Sequence, residues 1–212
     1  MPRYQNSWDV DKVLNAIAQW GDNSNISLKL LSHKLVMLMS LASAGWASEI
    51  NKLHLDYMCD KGDHVVFKIP SLSKTSKVGK SLPEMTFTKM HNSEFCILNC
   101  LRKYVEVTTG YRHSDDKINR QWLILSFVKP YHPVTTSTIA RWLKFTISSA
   151  GIDTTIFKAH STRAASTSKA FRIGISCTEI MNQAKWTNES TFARFYHKPV
   201  EPNQFQQAVL TR

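Results

Sequence analysis

Four side chains near the C-terminus are of types that could break and rejoin a phosphodiester bond. His160 and Arg163 stand three positions apart, a spacing that places both on one face of a helix. Trp186 and Tyr196 follow, each at the end of a short amphipathic segment. A tyrosine hydroxyl can attack phosphorus, and guanidinium, imidazole and indole N–H groups can bind phosphate oxygens. The set therefore predicts phosphodiester chemistry with Tyr196 as the nucleophile.

The chain as a whole carries the charge that such chemistry requires. Its 212 residues include 27 basic and 16 acidic ones, which give a formal net charge of +11. A basic excess of this size indicates a polyanionic partner, with nucleic acid as the first candidate and an anionic membrane surface as the second. Hydrophobic residues make up 42% of the chain, which argues against disorder. We expect residues 1–212 to form a single domain.

Targeting and cysteine patterns favour a nuclear or otherwise intracellular protein. No secretory signal opens the sequence, and the longest apolar stretch, 35–47, is too short to span a bilayer. The four cysteines form no C-x-x-C pair, which favours reduced thiols packed as small apolar side chains. A metal site of Cys96, Cys100 and His91 is the alternative. We expect no metal, no small-molecule cofactor and no membrane partner.

Sequence periodicity predicts a mainly α-helical fold with one small antiparallel sheet. Ser7 and Ser27 are predicted to cap the first two helices, and Thr135 or Ser137 a later one. The segment 122–127 is either a short buried strand or an edge segment. The predicted helices cover 8–20, 28–43, 46–53, 96–104, the stretch from the 135–137 cap to Gly151, 160–171, 177–184 and 190–196, and the predicted strands cover 64–69 and 82–88.

A basic loop joins the two predicted strands and carries Lys74, Lys77 and Lys80. Such a loop is either a solvated hairpin tip or a phosphate contact. Lys158 and Lys169 are further candidates for contacts with a DNA backbone. These lysines, together with the C-terminal set, predict double-stranded DNA as the partner.

Two runs of residues in the last part of the chain resemble one known family. The runs are 159–168, with the sequence AHSTRAASTS, and 184–196, with the sequence AKWTNESTFARFY. They resemble the tyrosine recombinases, or phage-type integrases, and in particular the recombinases of eukaryotic mobile elements such as Cryptons and DIRS-like retroelements. The resemblance covers nearly the whole chain and implies the catalytic-domain fold of DNA breaking-rejoining enzymes. It also implies that the family's separate N-terminal core-binding domain is absent from this chain.

The resemblance implies a set of site residues. The family's catalytic set is an arginine, a lysine, an H-x-x-R pair, a histidine or tryptophan, and a tyrosine. The positions that match it here are Lys74 (with Lys77 as the fallback), His160, Arg163, Trp186 and Tyr196. In the implied reaction Tyr196 forms a 3′-phosphotyrosyl bond, Arg163 binds the phosphate and Lys74 protonates the departing 5′-oxygen. Neither a metal nor ATP is required.

One member of that set is missing from the sequence. The family places its first arginine three residues before a glutamate and after a glycine turn. Gly45 and Glu49 are present, but Trp46 stands at the arginine position. An indole offers one neutral donor, and the loss of one transition-state donor costs about 10²–10³ in rate. We therefore predict impaired strand cleavage unless Arg112 or Arg141 reaches the site.

Three functions remain open at this point. The first is DNA strand cleavage and rejoining in the recombination or integration of a mobile element, by a homotetramer on DNA that exchanges the C-terminal segment 199–212. The second is a catalytically inactive DNA-binding module derived from a recombinase. The third is a helical protein-interaction domain with an incidental basic surface. A covalent adduct that Tyr196→Phe abolishes would identify the first, and salt-dependent DNA binding separates the second from the third.

Overall fold

The computed structural model of the chain describes residues 6–69, 83–112 and 121–186. They confirm the predicted mainly α-helical fold with one small antiparallel sheet. The helices are α1 (Val10–Ala18), α2 (Leu28–Ser43), α3 (Ala47–Asn51), α4 (Ile97–Thr108), α5 (Thr136–Ser149), α6 (Ser161–Arg172) and α7 (Cys177–Gln183), and the strands are β1 (Met58–Asp60), β2 (His64–Lys68) and β3 (Glu84–Thr88). Short 3₁₀ turns cover Leu55–Tyr57, Ser93–Phe95 and Thr109–Tyr111. Within these described ranges, no helix has the length and apolar character needed to cross a membrane.

Helix α2 forms the centre of the body, as its all-round apolar sequence predicts. Every residue from 31 to 40 is buried, and the helix packs against α3, α4, α5, α6 and β3. The hydroxyl of Ser27 accepts a hydrogen bond from the backbone N–H of Leu30 over 3.3 Å and caps the first turn. The predicted bounds of this helix, 28–43, are confirmed.

The sheet has three antiparallel strands in the order β1-β2-β3. Alternate residues of the two longer strands face the core: Val65 pairs with Phe87, and Phe67 with Met85, and all four are buried. The two strands predicted at 64–69 and 82–88 are confirmed with slightly shorter ends. Strand β1 was not predicted, because three residues that are mostly exposed carry no apolar alternation. The basic loop that joins β2 to β3 lies outside the described residues.

The first helix begins later than predicted. Asp9 is its cap, because the Asp9 carboxylate accepts the backbone N–H of Asp11 over 3.0 Å. The prediction that Ser7 caps a helix from residue 8 is therefore wrong. Instead, Trp8 lies buried before α1, and its indole N–H donates to the hydroxyl of Ser161 over 2.8 Å. This bond ties the N-terminal segment to the first turn of α6. The helix predicted at 190–196 lies outside the described residues.

The buried segment 123–125 is not a strand, although isolated bridges flank it at Trp122 and Leu125. Side chains of the neighbouring α4 region satisfy its backbone. The Arg112 guanidinium donates to the carbonyls of Trp122 (2.5 Å) and Leu123 (2.8 Å). The Tyr104 hydroxyl accepts the N–H of Leu125 over 2.9 Å. Arg112 is thus a buried structural residue, and the prediction that it could replace the missing arginine is wrong.

A buried histidine occupies an aromatic cluster on the face of α2 that meets α5. The His33 ring is 2% exposed and stacks on Phe145 with centroids 4.5 Å apart. Phe127 and Trp142 lie 5.6 and 5.4 Å away. Burial lowers the pKa of His33 from 6.5 to about 4, and the nearby charge of Lys29 lowers it further. The folded chain therefore holds a neutral imidazole here.

We expect acidification from pH 6.5 to pH 4 to destabilise the fold through His33. The unfolded chain binds a proton below pH 6.5, whereas the folded chain does so only near pH 4, so stability is lost as the pH falls through this window. A lowering from 6.5 to about 4 corresponds to roughly 3 kcal/mol. Urea denaturation at pH 7, 5.5 and 4 measures it. In His33→Phe, most of the decrease in the free energy of unfolding between pH 7 and pH 4 should disappear. In His132→Gln, at an exposed histidine, the decrease should persist.

Candidate active site

Arg163 is the centre of the candidate site. Its side chain is 5% exposed, and its guanidinium carbon lies 4.9 Å from the ring centroid of Trp46 and 4.7 Å from that of Trp186. Both distances are within the range of cation–π attraction. One terminal nitrogen donates to the carbonyl of Ala44 over 2.6 Å, and the other donates to the carbonyl of Ala184. Arg163 therefore joins the end of α2 to the end of α7.

Side chains of α6 and α7 satisfy the C-terminal carbonyls of α2. The last carbonyls of a helix have no partner within the helix itself. Ser166 donates to the carbonyl of Leu41, and Gln183 donates to that of Ala42 over 2.9 Å. With the Arg163 bond, these contacts hold α6 and α7 at one end of the central helix. The position of Arg163 is thus set by packing around α2 and by its place in the first turn of α6.

A tight turn after α2 brings Trp46 to Arg163. Ala44 adopts a left-handed conformation (φ 47°) and ends α2. A Cβ at position 45 would lie 2.7 Å from the Ser43 hydroxyl, so any side chain there would require Ser43 to move. Trp46 then caps α3, and its backbone N–H donates to the Glu49 carboxylate over 2.7 Å. Trp46 remains 41% exposed, so its ring covers Arg163 at the surface.

His160 and Trp186 lie on either side of Arg163 in the chain. His160 directly precedes α6 and is half-buried, one turn before Arg163. Trp186 follows α7, and its backbone N–H donates to the carbonyl of Met181 over 2.9 Å. The structure therefore brings Trp46, Arg163 and Trp186 into contact and places His160 at the same end of α6. Tyr196 lies outside the described residues.

A cleft opens beside Arg163, between β3, the α2–α3 turn and the end of α7. It encloses about 160 Å³, which is large enough for a phosphate group. Its charged lining residues are Glu49, Glu84, Arg163 and Lys185, and its other lining residues are Ser43, Gly45, Met85, Thr86, Asn182, Gln183 and Ala184. The first three residues of β3, Glu84, Met85 and Thr86, form the sheet side of the cleft.

The remaining predicted lysines divide into two groups. Lys74, Lys77 and Lys80 lie outside the described residues. Lys158 is exposed and donates to the carbonyl of Thr154 over 3.1 Å, and Lys169 forms an ion pair with Asp11 of α1. Both lysines thus make contacts within the fold, and their contacts with a DNA backbone stay predictions.

Arg141 does not complete the site. It lies on the exposed side of α5, where it donates to the Thr138 hydroxyl over 3.0 Å, and it is not among the described residues that line the cleft. Together with the structural role of Arg112, this leaves Trp46 unreplaced by either arginine.

Sequence reasoning missed Lys185, Gln183 and Ser166. Lys185 stands directly before Trp186, and its charge within the motif was a signal that could have been used. Gln183 and Ser166 gave no signal, because their partners are backbone carbonyls of a distant helix.

No protein-family model and no curated protein sequence matches the chain. Solved structures do match it. The XerH site-specific recombinase bound to difH substrate aligns with 100% of this chain and 53% of its own length, with a TM-score of 0.67 at 13% identity. The Tn1549 transposon integrase in complex with circular intermediate DNA aligns with 100% of this chain and 66% of its own, with a TM-score of 0.59 at 13% identity. The lambda integrase catalytic core aligns over 93% and 99%, with a TM-score of 0.52 at 14% identity.

These likenesses establish the fold. The chain has the fold of a tyrosine recombinase catalytic domain, as the sequence predicts. It spans about half the length of the XerH recombinase it matches. At such low identities the fold alone is shared, so any function must be argued from the residues of this site.

Proposed function

We propose that this chain is the catalytic part of a tyrosine recombinase of the Crypton- and DIRS-like kind, which cleaves and rejoins double-stranded DNA during integration of a mobile element. The observation that carries the proposal is the contact of Arg163 with the rings of Trp46 and Trp186 beside one cleft. Arg163 and Trp186 are two positions of the recombinase motif, and Trp46 stands where that family has its first arginine. A net charge of +11 supports a DNA partner, and a DNA substrate fits a nuclear or otherwise intracellular location.

The proposed reaction assigns one step to each group. The Tyr196 oxygen attacks phosphorus, a 3′-phosphotyrosyl bond forms, and the bond from phosphorus to the 5′-oxygen breaks. His160 accepts the tyrosine proton, and Lys74 gives a proton to the departing 5′-oxygen. Arg163 and the indole N–H of Trp186 stabilise the charge on the non-bridging oxygens. Attack by another strand's 5′-hydroxyl reverses these steps and restores the tyrosine.

Covalent capture on DNA tests this proposal. Because the target site is unidentified, the probe is a pool of randomised, nicked duplexes in which the cleaved strand loses its 5′-hydroxyl fragment. A labelled adduct that survives boiling in detergent is expected from the unmodified chain at a low rate. Tyr196→Phe should abolish it, because phenylalanine has no nucleophilic oxygen. Tyr57→Phe, at an exposed tyrosine, should leave it unchanged.

A second candidate function is a catalytically inactive DNA-binding module. Trp46 favours it, because the neutral indole takes the place of a charged donor. This module would bind DNA with a steep salt dependence, and it would form no adduct even after Trp46→Arg. Lys77, Lys80, Lys158 and Lys169 are proposed backbone contacts in either case. Assembly into a homotetramer through 199–212 belongs to the first candidate.

A further inference from the structure

One of the lysines that line the cleft has an ammonium group without a hydrogen-bond partner among the described residues. Lys185 follows α7 and lines the same cleft as Arg163 and Glu49. Its ammonium nitrogen is shielded from solvent and has no hydrogen-bond partner among the residues that the structure describes. The nearest carboxylate oxygen belongs to Glu49 and lies 3.8 Å away, beyond hydrogen-bond distance. An ammonium group carries three donors, so Lys185 is poised to bind an acceptor that enters the cleft.

The backbone at Lys185 supports a functional reason for this residue. Its φ is +55°, in the left-handed region that disfavours residues with a Cβ and favours glycine. Glycine is the common choice just after a helix end. A lysine at this position therefore has an unfavourable backbone conformation while its ammonium group stays beside Glu49. Such local costs concentrate at functional sites.

The charged residues that line the cleft leave too little positive charge for a bound phosphate group. Glu49 and Glu84 contribute two carboxylates, and Arg163 already gives both terminal nitrogens to the carbonyls of Ala44 and Ala184. One Glu49 oxygen accepts the N–H of Trp46 over 2.7 Å, which leaves the other oxygen facing Lys185. A phosphate group in this cleft would meet more negative charge than Arg163 alone can offset. A second cation is required, and Trp46 supplies none.

We propose that Lys185 supplies the missing positive charge by binding a non-bridging oxygen of a phosphate group in this cleft. That the phosphate belongs to the scissile position of DNA rests on the proposed function. The ammonium leaves its long contact with Glu49 and donates directly to the phosphate oxygen. Lys185 thereby offsets part of the negative charge that an arginine at position 46 would offset.

Inorganic phosphate is the probe that tests the site without any catalysis. The indole N–H signals of Trp46 and Trp186 are followed by NMR during a phosphate titration at constant ionic strength. Lys185→Gly should raise the Kd at least 10-fold, although glycine suits the left-handed backbone and should raise the melting temperature. Lys185→Arg should stay within 3-fold of the unmodified chain. Lys144→Gln, at an exposed lysine of α5, controls for total charge.

The alternative is that Lys185 serves only as a structural partner of Glu49. In that case Lys185→Gly would bind phosphate as tightly as the unmodified chain, and this result would overturn the proposal. Lack of phosphate binding by the unmodified chain would overturn it as well. Lys185→Gln provides a second, uncharged variant of similar length, and its Kd must rise in the same way.

Covalent capture separates this inference from the proposed function. On the randomised nicked duplexes, Lys185→Gln should slow adduct formation at least 10-fold. On duplexes with methylphosphonate linkages, which carry no negative charge, the same variant should slow adduct formation less than 3-fold. If phosphate binding depends on Lys185 but no chain forms an adduct, the DNA reaction fails and the phosphate site stands. If the adduct forms equally fast without the lysine, the assignment of Lys185 fails and the DNA reaction stands.

Discussion

Replacement of Arg163 by alanine is expected to lower the free energy of unfolding by about 4 kcal/mol. The side chain is 5% exposed and makes two charge-assisted hydrogen bonds, to the carbonyls of Ala44 and Ala184. Each such bond contributes roughly 1.5–3 kcal/mol. The truncation also removes the cation that lies against the rings of Trp46 and Trp186. Urea denaturation at pH 7 measures the loss.

A nearby arginine provides the matched control. Arg172 lies in the last turn of the same helix, is exposed, and donates to the carbonyl of Ser168 within that helix. Arg172→Ala should change stability by less than about 0.5 kcal/mol. Arg163→Lys should lower the free energy of unfolding by most of the amount that Arg163→Ala does. A single ammonium group cannot reach both carbonyls, whereas the planar guanidinium spans them. Equal stability of Arg163→Ala and the unmodified chain would show that the guanidinium does not hold these helices together.

Arg163 both holds helices together and lies in the candidate site, and only part of this could be predicted from the sequence. The H-x-x-R spacing placed His160 and Arg163 at one end of a helix, and α6 does begin at Ser161. The contact with Trp46 joins distant parts of the chain through the turn at Ala44 and Gly45. Periodicity within one segment cannot predict a contact between distant segments. Trp46 could therefore be placed at the site only through the family resemblance.

The same distinction applies to the rest of the fold. The bounds of α2 were predictable because a cap residue, an apolar run and an Ala-Gly end coincide within one segment. Strand β1 and the segment 123–125 were not, because neighbours from elsewhere in the chain stabilise them. Arg112 illustrates the point, since its sequence gives no sign that backbone carbonyls of that segment occupy its guanidinium. The roles of Tyr196 and Lys74 stay predictions.

Replacement of Trp46 by arginine is expected to raise the rate of covalent adduct formation by about 10²–10³-fold. The site can accept the longer side chain because Trp46 is 41% exposed. The hydrogen bond to Glu49 comes from the backbone N–H and survives the change. A guanidinium at position 46 adds a fixed charge beside the cleft, where the transition state gains negative charge. Single-turnover capture on the nicked duplexes measures the rate.

Trp46→Arg both removes the indole ring and adds a positive charge, and a second variant distinguishes the two effects. Trp46→Gln removes the ring without adding charge and should not raise the rate. In the absence of DNA, Trp46→Arg should be less stable than the unmodified chain by about 1 kcal/mol, because it loses the ring contact with Arg163 and sets two guanidinium groups close together. A bound phosphate relieves that repulsion, so the variant should gain more stability from phosphate than the unmodified chain does. A rate no higher than that of Trp46→Gln would mean that charge at position 46 does not limit the reaction.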